Sequence, residues 1–372
     1  MKQKLSKLIK GETVLVISFA LAVVSCFLVV PSKEYIDYID FRVLAILFML
    51  MAVIGGLREL GAFKRVAVFL LDKVKNVRQL MLVLVLTCFF TSMLITNDVA
   101  LITFVPFSIM VLKLADRQDK LIKLIVLETI ASNLGSMLTP VGNPQNLYIF
   151  SNYNMALSEF ISAILPYCLT SLILILVLIL TDKSGSDSIY TLKIEKEEVG
   201  HLKLKIVYYC SLFALCLGVV IFGLDYKVVF IFVTILVTIM NYRLILKIDY
   251  SLLFTFIFFF VFIGNLGNIE AIRDGLTNII TGNEFGMSVL FSQVFSNMPA
   301  TMLLSEFTTN SKALLVGVNV GGLGTLIASM ASLISYKFYA NEEGALKLKY
   351  LKKFTEVNLM FMFILVVIYY II

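Results

Sequence analysis

Thr96-Asn97-Asp98 stands inside apolar sequence: residues 80–95 before it and 99–112 after it carry no charge at all. Backbone placed in lipid must satisfy its own hydrogen bonds, so such sequence folds as helix. A polar interruption is tolerated there only where it lines a cavity or is buried in protein. A second interruption follows, Asn133-Leu134-Gly135-Ser136 and then Thr139-Pro140-Val141-Gly142-Asn143-Pro144-Gln145-Asn146. Broken helices of this kind build ion and substrate sites in secondary transporters. A weaker pair lies further along, Ser296-Asn297-Met298-Pro299-Ala300-Thr301 and Gly321-Gly322-Leu323-Gly324-Thr325.

The rest of the chain frames these two pairs. It is 60% hydrophobic and 15% charged, where a soluble domain carries about 25% charge. An all-α polytopic membrane protein is predicted. A spanning helix needs about 20 apolar residues, and candidate spans lie at about 12–30, 41–57, 121–138, 160–180, 206–222, 228–240, 252–264, 313–336 and 355–372. The first follows a basic, signal-like start but is long enough to span, with no small-residue cleavage site. Residues 58–78 and 265–283 set apolar side chains at helical spacing with charges between them, the pattern of interfacial helices. The two arms around Thr96-Asn97-Asp98 are each about 14 to 16 residues long, so they read as a re-entrant hairpin with its tip in the membrane.

Several chemistries are excluded. The one histidine, His201, sits in the hydrophilic linker 182–205. The five cysteines lie in apolar runs without a CxxC and read as small buried hydrophobes, not disulfides or zinc ligands. No HExxH, GxSxG or paired catalytic acids occur, so no enzyme activity, no cofactor and no nucleic-acid partner are expected.

The order of segments repeats. Two spans, an amphipathic segment, an interrupted hairpin, a span with a glycine-containing break and one more span occur in 1–181 and again in 228–372. Residues 182–227 hold the linker and one extra helix between the copies. If the hairpins do not cross, each copy crosses four times, and the extra helix starts the second copy on the opposite face. An inverted repeat with two opposed re-entrant hairpins and two broken helices follows from that count. Charge tests it. With the N-terminus cytoplasmic and the C-terminus outside, 26 of the 31 Lys and Arg fall on cytoplasmic segments and five outside, as the positive-inside rule requires. The expected location is the cell membrane, with the lipid bilayer as surroundings.

The clusters suit ions. Asn97 and Asp98 stand where a helix starts, and Asn and Asp cap helices well. The N–H groups of a helix start favour an anion, and the carbonyls that end the preceding arm suit a cation. Oxygens of Thr96, Asn97 and Asp98 add hard ligands for Na+, and an acid at membrane depth is a functional hypothesis by default. Ser296 and Asn297 repeat the cap, with Pro299 in the first turn. A cap that holds no ligand stays open for both. Gly135, Gly142, Gly321, Gly322 and Gly324 permit close backbone approach, and plain helix packing through the Gly317–Gly321 spacing stays open too. Pro140 and Pro144 leave carbonyls unpaired, with Asn143 and Asn146 as neutral ligands beside them. Glu128 and Glu306 are candidate proton relays, or acids that merely face a vestibule.

The pattern resembles the ion transporter superfamily, the citrate-transporter-like group that includes divalent anion/sodium symporters, arsenite permeases and some sodium/proton antiporters. The resemblance covers nearly the whole chain. The dicarboxylate branch carries Ser-Asn-Thr at both hairpin tips, where Thr96-Asn97-Asp98 and Ser296-Asn297-Met298 stand here. The Asn-x-Pro of the second tip is closer to the arsenite and sodium/proton branches, and the second break lacks a Pro-Pro-Asn-like ending. The resemblance implies an ion site between each tip and its break, drawing on Thr96, Asn97, Asp98, Gly135, Ser136 and Gly142, and on Ser296, Asn297, Gly322 and Gly324. A small anion, a di- or tricarboxylate among the candidates, would lie between the tips against Asn97, Thr139, Asn143, Pro144, Asn146, Asn297, Pro299, Thr301 and Thr325. The coupling cation would be Na+ or H+. A homodimer is implied as well. An arsenite efflux permease, an Na+/H+ antiporter and a passive channel remain as alternatives.

Overall fold

A computed structural model describes residues 13–71, 74–182 and 202–372. His201, most of the 182–205 linker and the basic start of the chain lie outside them. The described residues are helical with no strand. In chain order the principal helices are α1 (Thr13–Leu28), α2 (Phe41–Glu59), α3 (Ala62–Leu71), α4 (Val77–Ile95), α5 (Asn97–Leu114), α6 (Leu121–Ser136), α7 (Pro144–Asn152), α8 (Leu157–Leu180), α9 (Leu202–Ile221), α10 (Tyr226–Asn241), α11 (Tyr250–Gly267), α12 (Glu270–Ile280), α13 (Glu284–Phe295), α14 (Asn297–Ser305), α15 (Ser311–Gly321), α16 (Met330–Ala340) and α17 (Lys347–Ile371). Many begin on a capping Asn or Asp. Asp40 accepts from the Val43 N–H at 2.9 Å, Asn76 from Gln79 at 2.9 Å, Asp249 from Leu252 at 3.0 Å and Asn310 from Ala313 at 3.1 Å, each satisfying a donor the helix start would leave open.

Seven helices of the described residues, α2, α4, α5, α8, α9, α11 and α17, are long and apolar enough to cross a membrane, and α1 and α10 are shorter apolar helices. Their outward faces are greasy. On α8, Leu165, Leu169, Ile173, Val177 and Leu180 are exposed, while Ile164, Ser171, Ile175 and Ile179 one face round are buried. An exposed apolar stripe is costly in water and is where lipid sits. The polytopic, all-α membrane protein expected from composition is what the chain forms.

The hairpin arms differ from expectation. α4 and α5 have 19 and 18 residues, longer than the uncharged runs alone, because α4 starts at Val77 on its Asn76 cap and α5 runs on through Lys113. The second hairpin is shorter, with 12 residues in α13 and 9 in α14. The run at 313–336 breaks at its glycines as expected, into α15 and α16, parted at residues 322–329. The amphipathic segment 58–78 likewise divides, its first residues extending α2 and its middle forming α3.

The halves of the chain interlock. α1 packs on α11, and α2 packs on α10 and α9. α4 packs on α6, α13 on α15, and α16 lies across both α5 and α6. α7 packs against α14, where the Tyr153 hydroxyl reaches the carbonyls of Ser305 at 2.9 Å and Thr308 at 2.8 Å. Both tips and both breaks therefore share one helical core.

Candidate functional site

The two tips have the same backbone. Thr96 has φ 69° and ψ 149°, and Ser296 has φ 74° and ψ 153°. That region is normally glycine's, and a side chain there costs roughly 1–3 kcal/mol. Each tip is held by the same bond to the break that follows. The Asn97 N–H donates to the Gly142 carbonyl at 3.1 Å, and the Asn297 N–H donates to the Ala328 carbonyl at 2.9 Å. Each break also reaches back to the arm before its tip. Thr139 Oγ1 donates to the Met93 carbonyl, and Thr325 Oγ1 donates to the Gln293 carbonyl at 3.3 Å.

The glycines expected at close approaches are needed there. A Cβ on Gly135 would stand 2.2 Å from the Phe89 carbonyl oxygen, so only glycine lets α6 lie this near α4. Gly324, at φ +98°, turns the second break. Gly317 and Gly321 pack on Ser288 and Ser292 of α13, which is the helix-packing role left open for that pair.

The two halves of the chain meet through two asparagines on the helices before the breaks. Asn133 Oδ1 accepts from Asn97 Nδ2 at 3.1 Å and from Ser329 Oγ at 3.0 Å, and Asn133 Nδ2 donates to Ser332 Oγ at 3.5 Å. Asn319 Oδ1 accepts from Asn143 Nδ2 at 3.1 Å, and Asn319 Nδ2 donates to Asn146 Oδ1 at 2.7 Å. The helix before the first break thus binds the helix after the second, and the reverse. All these side chains are buried, so the bonds form away from water, where an unmade one is expensive. Asn319 was not among the expected site residues. Its signal is a lone amide in the otherwise apolar run 313–320.

Thr96, Asp98, Asn143 and Pro144 line a cavity of about 520 Å³, within the range of small-molecule sites. It runs along α2 from Leu47 to Glu59 and is flanked by exposed Arg58, Glu59, Lys247 and Asp249. Lys247 pairs with Glu59 at 3.2 Å, and Asn241 Nδ2 donates to the other Glu59 oxygen at 3.2 Å. These four charged residues escaped sequence reasoning because they come from the ends of α2 and of the α10–α11 connection and converge only in three dimensions. Asp98 Oδ1 is buried with no hydrogen-bond partner. It lies in the first turn of α5.

The remaining expected residues divide between the two tips. Asn97, Gly135, Ser136, Thr139, Gly142 and Asn146 pack around the first tip behind the cavity wall, and the Asn146 amide points into the break. Ser296, Asn297, Pro299 and Thr301 are buried at the second tip beside Gly322 and do not line this cavity. Thr325 is exposed on the second break. Of the nine substrate candidates, Asn143 and Pro144 line this cavity, and of the two tips only the first reaches it. Glu128 is fully buried elsewhere, accepting from Ser108 Oγ on one oxygen. Glu306 is exposed beside Gly267. No cluster of His, Cys, Asp and Glu among the described residues is arranged to hold a metal.

Comparison with known proteins gives this architecture a family. The family described as "Citrate transporter" matches residues 6–319. An uncharacterized transporter of Methanocaldococcus jannaschii is 34% identical over 312 residues, covering 83% of this chain and 84% of that protein. The inner membrane protein YbiR of Escherichia coli is 29% identical over 317 residues, covering 84% of each. A silicon efflux transporter of Oryza sativa subsp. japonica is 33% identical over 148 residues, 39% of this chain and 30% of that protein. With a match that spans most of its length, this chain belongs to the citrate transporter family.

Proposed function

We propose that this membrane transporter is a secondary active one, moving a small anion, with di- and tricarboxylates as the first candidates, together with a coupling cation, Na+ or H+, bound at Asp98. The observation that carries the reading is the cavity that reaches Thr96, Asp98 and Asn143, with one Asp98 oxygen buried and unpaired in its wall. A carboxylate with an unpaired oxygen at a helix break is a cation ligand of the kind such transporters use. The first-turn N–H groups of α5 supply anion-directed dipoles beside it. Arg58 supplies a positive charge at the cavity's edge, Lys247 being paired with Glu59.

The inverted repeat is part of the reading. It is supported by the shared tip geometry, by the crossed asparagine bonds and by the pairing of α1 with α11 and α2 with α10. The 26-to-5 charge split supports a cytoplasmic N-terminus, an outside C-terminus and residence in the cell membrane. Arg58 and Lys247 then belong to cytoplasmic segments, and the cavity is open to the inside. The cycle would carry both tips and both breaks as one body against a scaffold of α1, α2, α9, α10 and α11, in a homodimer.

A second reading has its own support. The cavity holds Glu59, Asp98 and Asp249 against Arg58 and Lys247, so it is not net basic, and one relative is named a silicon efflux transporter. An uncharged oxyacid exported in exchange for a cation fits that balance. Proteoliposomes decide. Under an imposed Na+ or pH gradient, one of a panel of carboxylates and oxyacids should accumulate or be expelled against its own gradient. Flux of every candidate that ignores both gradients would overturn secondary active transport.

A further inference from the structure

In each break, carbonyl oxygens released by the unwound helix are engaged by one side-chain amide. In the second break, Gln293 Nε2 donates to the Gly321 carbonyl at 2.7 Å and the Leu323 carbonyl at 2.9 Å, and Gln293 Oε1 accepts from the Thr325 N–H at 3.0 Å. The turn is shaped around that amide: a Cβ on Gly324 would stand 2.4 Å from Gln293 Oε1. In the first break, Asn146 Nδ2 donates to the Met137 and Thr139 carbonyls, both at 3.1 Å. Converging carbonyls at an unwound helix are ligands for Na+. An amide NH2 has two donors and can satisfy the same oxygens without an ion.

We propose that Gln293 and Asn146 take the place of ions in the two breaks, so that neither break binds a cation and cation binding is confined to Asp98. The amides come from opposite sides, one for each break. Gln293 lies three residues before the second tip, where the first hairpin has Met93; Asn146 lies three residues past the Asn143 cap, where the second half has Ser332 after Ser329. Each break is therefore filled once, from whichever element carries an amide. The tips differ in the complementary way. Asp98 follows Asn97, but Met298 follows Asn297, so only the first tip adds a carboxylate. The inference rests on the function proposed above for its last step, one coupling cation per cycle, but the filling of the breaks stands apart from it.

Equilibrium binding of radiolabelled Na+ to the purified full-length protein, with thermal unfolding in NaCl and in choline chloride, tests both parts. Wild type should bind no more than one Na+ per chain and Asp98→Asn none. Gln293→Glu turns the donor into a carboxylate facing the Gly321 and Leu323 carbonyls. It should unfold at a lower temperature in choline, recover in NaCl and bind one Na+ more than wild type. Two Na+ on wild type, or one retained by Asp98→Asn, would overturn the proposal. A Gln293→Glu protein no more sensitive to Na+ than wild type would overturn the role given to Gln293. If wild type binds no Na+ while Gln293→Glu gains one, the breaks are filled as proposed and it is Na+ binding at Asp98 that fails.

Discussion

Replacing Asn133 by alanine removes the acceptor shared by Asn97 Nδ2 at 3.1 Å and Ser329 Oγ at 3.0 Å. Asn97 is 4% exposed and Ser329 1%, so water does not readily replace the lost oxygen. A buried donor left unpaired costs about 1–3 kcal/mol, which gives about 2–6 kcal/mol for two. Inside a membrane, hydrogen bonds between helices average only about 0.6 kcal/mol, because the unfolded chain also finds partners. The burial argues for the stranded case and the membrane reference for a discount, so Asn133→Ala should cost about 2–4 kcal/mol. Asn319→Ala should cost less, about 1–3 kcal/mol, since Asn143 Nδ2 keeps Ser136 Oγ at 3.3 Å as an acceptor while Asn146 Oδ1 loses its donor. Unfolding in mixed micelles measures both, and a double-mutant cycle between Asn133→Ala and Ser329→Ala should give a coupling of about 0.5–3 kcal/mol. A cost below about 1 kcal/mol for Asn133→Ala, or additive behaviour in the cycle, would refute the crossed lock between the halves.

Three further outcomes follow from other parts of the molecule. Gly135→Ala drives a Cβ against the Phe89 carbonyl and should destabilise by about 1–3 kcal/mol, whereas Gly286→Ala, in an open stretch of α13, should stabilise by about 0.5–1 kcal/mol; thermal unfolding separates the two. Glu128→Gln keeps an oxygen for Ser108 and should leave stability within about 1 kcal/mol, while Glu128→Leu strands a buried hydroxyl and should cost about 1–3 kcal/mol. In the α5–α6 connection, the hydrogen bond from Arg117 holds the Asp119 carboxyl below its ordinary range. The folded value is the lower one, so this small contribution is whole at neutral pH and is lost as pH falls through the depressed value. Arg117→Ala should remove the larger part of it, Lys120 keeping the rest, and shift the acid limb of unfolding towards higher pH.

The tips and breaks were legible because lipid makes polar interruptions conspicuous. Thr96-Asn97-Asp98 and Ser296-Asn297 mark the helix boundaries as read, and the glycines at the breaks are where backbones touch. What failed was length at the helix ends. Arg78 and Gln79 are polar yet lie inside α4, since the Asn76 cap outweighs their hydrophilicity. The partnership of Asn133 with Ser329 and Ser332 was not legible, because two serines in a small-residue stretch give no sign of an amide almost two hundred positions away. Nor was the acid–base mixture of the cavity, since Arg58 and Asp249 each look like an ordinary helix-end charge until the fold places them around one space. The same limit hid Gln293, a single amide in an apolar arm whose role needs the shape of the second break.

The central claim is that Asp98 is where the coupling cation binds. Thermal unfolding of wild type and Asp98→Asn across NaCl, LiCl and choline chloride, repeated over a range of pH, tests it without knowing the cargo. A ligand that binds only the folded state stabilises it by about 2.7 kcal/mol at one hundred times its dissociation constant. Wild type should therefore shift with Na+ or with pH, and Asp98→Asn should lose that shift while remaining folded. An identical cation and pH response in both proteins would contradict the account.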